Sequence, residues 1–234
     1  MPTDDYNPAD FPPFAVTVDL VVLTVRPPQM EVLLVQRNDA PHKGQWALPG
    51  GFVGPDQTLL EAAQVKLADK TGIALDQAHL EQLGTFGAPS RDPRMRVVSV
   101  TYLAMAPHPE TLATNSAQWH PTDSVALETL AFDHAEILSQ GIERARSKLE
   151  YTTLATTFCG STFTMVELRG VYEAVWGLKL DPANFHRKVL ASDNFIEPTN
   201  TTTSEGRGRP AKLYRAGKMA LLHPAISRHT EKPD

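Results

Sequence analysis

The sequence predicts an α+β protein of two modules, a mixed α/β unit followed by a small helical unit that ends in a hairpin. Three observations predict it. Up to about residue 105, apolar runs rich in Val and Leu alternate with turns punctuated by Gly and Pro, the pattern of strands. Proline use then changes: between Thr122 and Glu197 only Pro182 occurs, and three helix starts can be read there. Charge divides the same way. Met1 to Ser147 carries 10 basic and 18 acidic residues, a net of −8, whereas Lys148 to Asp234 carries 12 basic and 9 acidic, a net of +3. An acidic body with a basic end hints at nucleic-acid contact, although a solvated surface gives the same arithmetic.

The elements follow in order. Residues 1–14 form an acidic, proline-rich lead with no basic start or apolar run, unlike a signal peptide. Ala15 to Val25 reads as a strand, Pro27-Pro28 as a turn and Glu31 to Gln36 as the partner strand. After the Gly- and Pro-rich stretch from Gly44 to Pro55, Thr58 to Lys70 keeps helical spacing through Leu59, Ala62, Ala63 and Leu67, with Gly72 placed as a cap. Arg96 to Met105 reads as another strand.

In the second half, Asp133-His-Ala-Glu136 has the residues of a capping box, with Phe132 and Ile137 placed as a staple, opening a connector helix to about Leu149. Thr164-Met-Val-Glu167 repeats the box and opens a helix ending near Gly177. Asp181-Pro182 opens a third, to about Ser192, with Ala183, Phe185, Val189 and Leu190 as its apolar positions. Phe195-Ile196, a polar loop from Pro198 to Gly208 and a strand at Ala211 to Tyr214 complete the order of a winged helix. The expected division is 15–147, 148–220 and a tail, 221–234. A chain that is 41% hydrophobic and 21% charged can build a core. Its single cysteine, Cys159, excludes an internal disulfide framework, and the longest apolar stretch, Val16 to Val25, is interrupted by Asp19 and too short for a bilayer. A soluble, cytoplasmic protein is expected, with no membrane partner.

Gly50-Gly-Phe-Val-Gly-Pro-Asp-Gln57 and its continuation to Ile73 resemble a Nudix box, and Gly51, Leu67, Gly72 and Ile73 occupy its glycine and aliphatic positions. The resemblance spans Ala15 to about Leu130 and implies an α/β/α sandwich. Nudix hydrolysis uses carboxylates on one helix turn to hold Mg²⁺ or Mn²⁺ against a diphosphate. At the acidic positions and the arginine of the pattern this chain has Gln57, Val65, Lys66, Asp69 and Lys70, of which only Asp69 is a carboxylate. Glu61 and Asp56 lie nearby, but on no ligand position. No catalytic residue, metal or cofactor is therefore expected, and the chain is read as not an enzyme.

Binding without hydrolysis is the expectation for this half. Arg91-Asp-Pro-Arg94 resembles a loop of ADP-ribose-type Nudix domains, in which two guanidiniums fork onto phosphate or ribose oxygens; an isolated RDPR would read as a solvated turn held by Asp92. Arg37 reads equally as a ligand-facing residue or a strand end, Phe86 as an adenine platform or core, and His134 as a cap neighbour or a ligand contact. The expected ligand set is Arg37, Gly50, Gly51, Phe52, Phe86, Arg91, Arg94 and His134.

In the second half, Asn184, Arg187 and Lys188 form a polar helix stripe able to reach base edges, although a solvated face looks the same. Arg207, Arg209 and Lys212 lie at a basic hairpin tip suited to phosphates. From Asn184 to Lys218 seven basic residues face three acidic ones. Lys148-Leu-Glu-Tyr-Thr152, Phe163-Thr-Met-Val-Glu-Leu168, Asn184-Phe-His-Arg-Lys-Val-Leu190 and Gly208-Arg-Pro-Ala-Lys-Leu-Tyr214, joined to the degenerate box, resemble the NrtR type of Nudix-related regulators of NAD metabolism. The resemblance implies a homodimeric repressor that binds a palindromic double-stranded DNA operator through a winged helix-turn-helix and responds to ADP-ribose. Two alternatives stand: an ADP-ribose pyrophosphatase with relocated metal ligands, and a C-terminal protein-interaction platform.

Overall fold

The computed structural model describes residues 7–71, 79–107, 116–203 and 210–228. Its organising element is β1 (Ala15–Arg26), a long strand buried on both faces. Val18, Leu20 and Val22 point into one apolar cluster, and Val21, Leu23 and Val25 into another. That alternation is the two-residue period of a strand with a covered sheet on each side. β2 (Gln29–Gln36) pairs antiparallel with the C-terminal half of β1, and β4 (Gly50–Phe52), which follows β3 (Trp46–Ala47), pairs antiparallel with its N-terminal half. β6 (Val97–Met105) runs parallel along β1, with β5 (His79–Phe86) outside it; β7 (Ala117–Pro121) extends β2. The result is a seven-stranded mixed sheet.

Helix α1 (Leu59–Thr71) covers one face through Ala62, Ala63 and Leu67. The connector helix α2 (His134–Tyr151) covers the other, approaching so closely that a methyl group on Gly141 would come within 2.7 Å of Val21. Beyond it follow a 3₁₀ turn (Thr153–Phe158), β8 (Phe163–Thr164), α3 (Met165–Trp176), α4 (Pro182–Ala191), β9 (Ile196–Thr203) and β10 (Ala211–Ala216), with the three strands in the order β8-β10-β9. This is a winged helix, but its core is not separate. Tyr172, Val175 and Trp176 of α3 belong to the same buried cluster as Val21 and Leu23 of the sheet. Trp176 Nε1 donates to the Arg146 carbonyl and Arg146 Nε to the Val175 carbonyl, both at 3.1 Å, which locks α2 to α3.

Four expectations change. The Asp133–Glu136 capping box does not form: Asp133 is the N-cap residue but makes no side-chain cap, because its carboxylate is committed to Arg91. The Phe132–Ile137 staple is also absent, since the two side chains enter opposite clusters. The stretch read as a polar loop is strand β9 as far as Thr203, carried by β-branched threonines whose polarity hid the extended backbone. On α4, Phe185 and Val189 are buried as expected, but Ala183 and Leu190 face solvent. Gly72 and the loop 204–209 lie outside the described residues.

The tail contributes structure of its own. Residues 217–228 run back across the end of α2, with Leu222 and Ile226 buried. The backbone amides of Leu222 and Ile226 donate to the carbonyls of Tyr151 and Glu150. Arg228 donates to Glu150 at 2.6 Å and to Glu143 at 2.6 and 3.2 Å, so two carboxylates hold its guanidinium. Ser192 Oγ, at the end of α4, donates to the Pro224 carbonyl. The segment is a strap that ties α2 to α4. Ile226→Ala is expected to destabilise the chain by about 2–4 kcal/mol, as large-to-small changes at buried sites do, read as a lower urea midpoint.

Candidate ligand cavity and nucleic-acid interface

The cavity is built around β1. Thr17 and Asp19, two residues apart, line it on one side, and Gly50 and Gly51 of β4 lie opposite in register. Gly50 has no room for a side chain, since a Cβ would stand 2.2 Å from Asp19 Oδ1. Asp19 is buried and accepts a hydrogen bond from Ser99 Oγ at 2.5 Å. Its carboxylate also lies 3.6 Å from Arg91 and 3.7 Å from His134 Nε2. His134 Nδ1 accepts the Leu48 amide at 2.9 Å, which leaves the ring proton on Nε2, facing Asp19. Burial pushes the His134 pKa below the ordinary histidine value, outweighing the pull of Asp19 and Asp133.

The turn 91–94 is a folded structure in its own right. Arg91 is buried, and its fork closes on Asp133 at 2.8 and 2.7 Å. Burial opposes its charge, but Asp133, Asp19 and Asp92 more than offset this and hold its pKa above the ordinary arginine value. Arg94 forks onto Asp92 at 3.0 and 2.7 Å, and those bonds hold the Asp92 carboxyl below the usual range. Arg94 also lies 5.1 Å from the Phe52 ring and 5.8 Å from that of Phe132. Arg37, 4.6 Å from the Phe132 ring, has its pKa lowered by burial and by the charge of Arg94. Asp92, Asp39 and Asp19 pull the Arg37 pKa the other way, so the corner holds two guanidiniums among carboxylates, Arg94 already paired with Asp92.

Of the expected ligand residues, Arg37, Gly50, Gly51, Phe52, Arg91, Arg94 and His134 line this one cavity, of about 310 Å³. Phe86 lies instead on an adjoining cavity of about 800 Å³, which shares Arg91 and Phe132 with the first. Both RDPR guanidiniums are turned onto protein carboxylates, and with Arg91 and Asp92 buried the turn is not a solvated one. Sequence reasoning missed Thr17, Asp19, Asp92 and Phe132. Asp19 had a signal, a carboxylate inside a Val- and Leu-rich strand. Thr17 had none, yet its Oγ1 is buried without a hydrogen-bond partner among the described residues.

A divalent cation does not fit the box region. Gln57 accepts the Gly54 amide, and Glu61 accepts the Thr58 amide and hydroxyl as the cap of α1, bonds that lower its pKa. The Lys66 stem lies against Gly51, Val65 and Asp69 point to solvent, and the side chain of Lys70 lies outside the described residues. Among the described residues no three His, Cys, Asp or Glu side chains come together as metal ligands.

In the winged helix, α3 is capped by a complete Thr164–Glu167 box and ended by Gly177 in the left-handed conformation. Asp181 caps α4 through the Asn184 amide. Arg187 is exposed and donates to Asn184 Oδ1 at 2.7 Å, while Lys188 reaches the Ser227 carbonyl of the strap at 3.4 Å. Lys212 is exposed on β10; Arg207 and Arg209 lie outside the described residues. No helix among the described residues is long and apolar enough to cross a membrane.

Comparison with known proteins matches residues 15–141 to the NUDIX domain and residues 156–216 to the NrtR DNA-binding winged helix domain. The ADPR responsive transcriptional repressor NtrR of Acinetobacter baylyi is 37% identical over 216 residues, covering 90% of this chain and 85% of the relative. A crystal structure of Shewanella oneidensis NrtR complexed with a 27mer DNA is 35% identical, with a TM-score of 0.72 over 86% of this chain and 93% of that one. The NUDIX domain of the same protein complexed with ADP ribose is 36% identical, with a TM-score of 0.53 over 60% and 94%. An ADP-ribose pyrophosphatase of Methanocaldococcus jannaschii is 36% identical over 109 residues, covering 46% of this chain and 63% of the relative.

The buried imidazole yields a pH prediction. Its folded pKa lies below the unfolded value of about 6.5, so below that pH the unfolded chain binds a proton that the folded chain refuses, and stability falls with falling pH. Urea midpoints measured between pH 7.5 and 5.5 should drop, and His134→Asn should flatten the slope, leaving the part due to His120, which burial also lowers. An unchanged slope would refute the assignment.

Proposed function

The chain belongs to the NrtR family of Nudix-related transcriptional regulators, and from that membership we propose that it is a DNA-binding repressor of NAD biosynthesis or salvage genes, controlled by ADP-ribose. One observation carries the reading: a cavity with two adjacent arginines, set in a Nudix fold whose box keeps only Asp69 of its carboxylates, shares a chain with a winged helix. ADP-ribose suits the cavity because its diphosphate competes with Asp92 for Arg94 and meets Arg37 beside it, and its ribose hydroxyls match Thr17 and Asp19. The domain acts as a sensor without hydrolytic activity: of the acidic box positions, Gln57 is engaged with a loop amide, Lys66 and Lys70 carry the wrong charge, and Asp69 alone does not make a metal site. In the cytoplasm a homodimer presents two copies of α4 to a palindrome, with Asn184 and Arg187 at base edges and Lys212, Arg207 and Arg209 along phosphates. Lys188 joins them only if it leaves the strap.

Mobility shift of a palindromic promoter fragment, with and without ADP-ribose, tests the whole reading; DNA binding indifferent to every NAD-derived nucleotide would refute the control. Arg187→Ala is expected to cost about 1–3 kcal/mol of DNA affinity and to relax specificity at one base pair. Arg94→Ala should weaken ADP-ribose roughly tenfold or more by calorimetry, in line with the loss of a charge-assisted bond of about 1.5–3 kcal/mol. The competing pyrophosphatase reading requires AMP release from ADP-ribose with Mg²⁺ or Mn²⁺.

A further inference from the structure

Phe132 stands where the cavity, the two arginines and α2 meet. Its backbone is left-handed, with φ of 56°, a conformation that large side chains adopt only when their surroundings impose it. The surroundings here are explicit. Upstream, the Ala131 amide is pinned to the Trp46 carbonyl at 2.9 Å. Downstream, Asp133 is pinned by the Arg91 fork, and α2 begins at His134. Phe132 lies between these pins, in a turn that the His134 amide closes on the Ala131 carbonyl at 3.2 Å. Its ring is half-buried, lies 4.6 Å from Arg37 and 5.8 Å from Arg94, and meets His42 edge-on at 4.7 Å. The attraction of a cation to a ring is weak beside its charge-assisted bonds to phosphate.

We propose that Phe132 is the positioning residue that couples occupancy of the cavity to α2. The ring sits against Arg37 and Arg94. A diphosphate ligand takes both guanidiniums, the ring gives them up, and the backbone at Phe132 relaxes. The start of α2 moves with it, and the far end of α2 carries the change to α3 through Arg146 and Trp176, and to α4 through the strap at Arg228. The ring is thus a competitor of the ligand, and this role rests on the ADP-ribose reading above.

The test uses the full chain, with calorimetric titration of ADP-ribose and mobility shift of a palindromic fragment. Phe132→Gly accepts the left-handed backbone and removes the ring. It is expected to bind ADP-ribose about three- to tenfold more tightly, to bind DNA within about threefold of wild type, and to lose most of the ADP-ribose effect on DNA affinity, the range of such couplings being about 5–150-fold. A general loss of structure would lower both affinities instead. Phe132→Leu, which keeps the bulk but not the π face, should also bind ADP-ribose more tightly and keeps the test open if the glycine variant does not fold. Wild-type coupling in either variant would overturn the proposal, as would weaker ADP-ribose binding by Phe132→Gly, which would make the ring a ligand platform. A wild-type chain that binds no ADP-ribose would refute the functional reading itself, a result visible before any variant is made.

Discussion

A buried guanidinium holds this molecule in register. Arg91 closes a two-bond fork on Asp133 and lies beside Asp19, so three chain segments remote in sequence meet at one charge: the middle of β1, the turn 91–94 and the start of α2. A buried arginine has to find such partners, because an uncompensated charge in this environment would cost several kcal/mol. The partners in turn set the rest of the site. Asp19 orders Ser99 and faces the His134 proton, and the closed turn aims Arg94 past Phe52 into the cavity. Helix α2 gives up a side-chain cap to serve the same contact.

The same logic explains what sequence could and could not reveal. The apolar strands, α1, the Thr164–Glu167 box and the Asp181-Pro182 start are local devices, whose partners lie within a few residues, and all were legible. Asp133 looked like a capping residue because local pattern cannot show a partner 42 residues upstream. β9 was hidden by its threonines, and the strap by a sequence with little apolar periodicity, although two of its side chains are buried. In the cavity the glycines, Arg91 and Arg94 were legible through motif and Arg37 as a strand end, whereas Asp19 was passed over although a carboxylate in an apolar strand is unusual. Thr17 and Phe132 become visible only when β1 and the α2 start are brought together.

The side chains in and around the degenerate box have local structural partners. Glu61 serves helix capping, Gln57 holds a loop amide, and Lys66 lays its stem across Gly51. Around the cavity, Asp92 and Asp133 orient Arg94 and Arg91, and Asp19 lies beside Arg91. An overall acidic body thereby encloses a corner where Arg37 and Arg94 stand side by side, Arg94 held by Asp92.

The shared core has a consequence for how such a protein can change over generations. Because Tyr172, Val175 and Trp176 complete the same apolar cluster as Val21 and Leu23, neither half ends in a finished surface. A winged helix grafted from this chain would carry an exposed apolar face, and a Nudix domain cut from it would lose part of its packing. The two halves therefore share one core. Substitutions at the sheet face where the halves join act on both halves together, and changes in either half have to stay within a common stability limit.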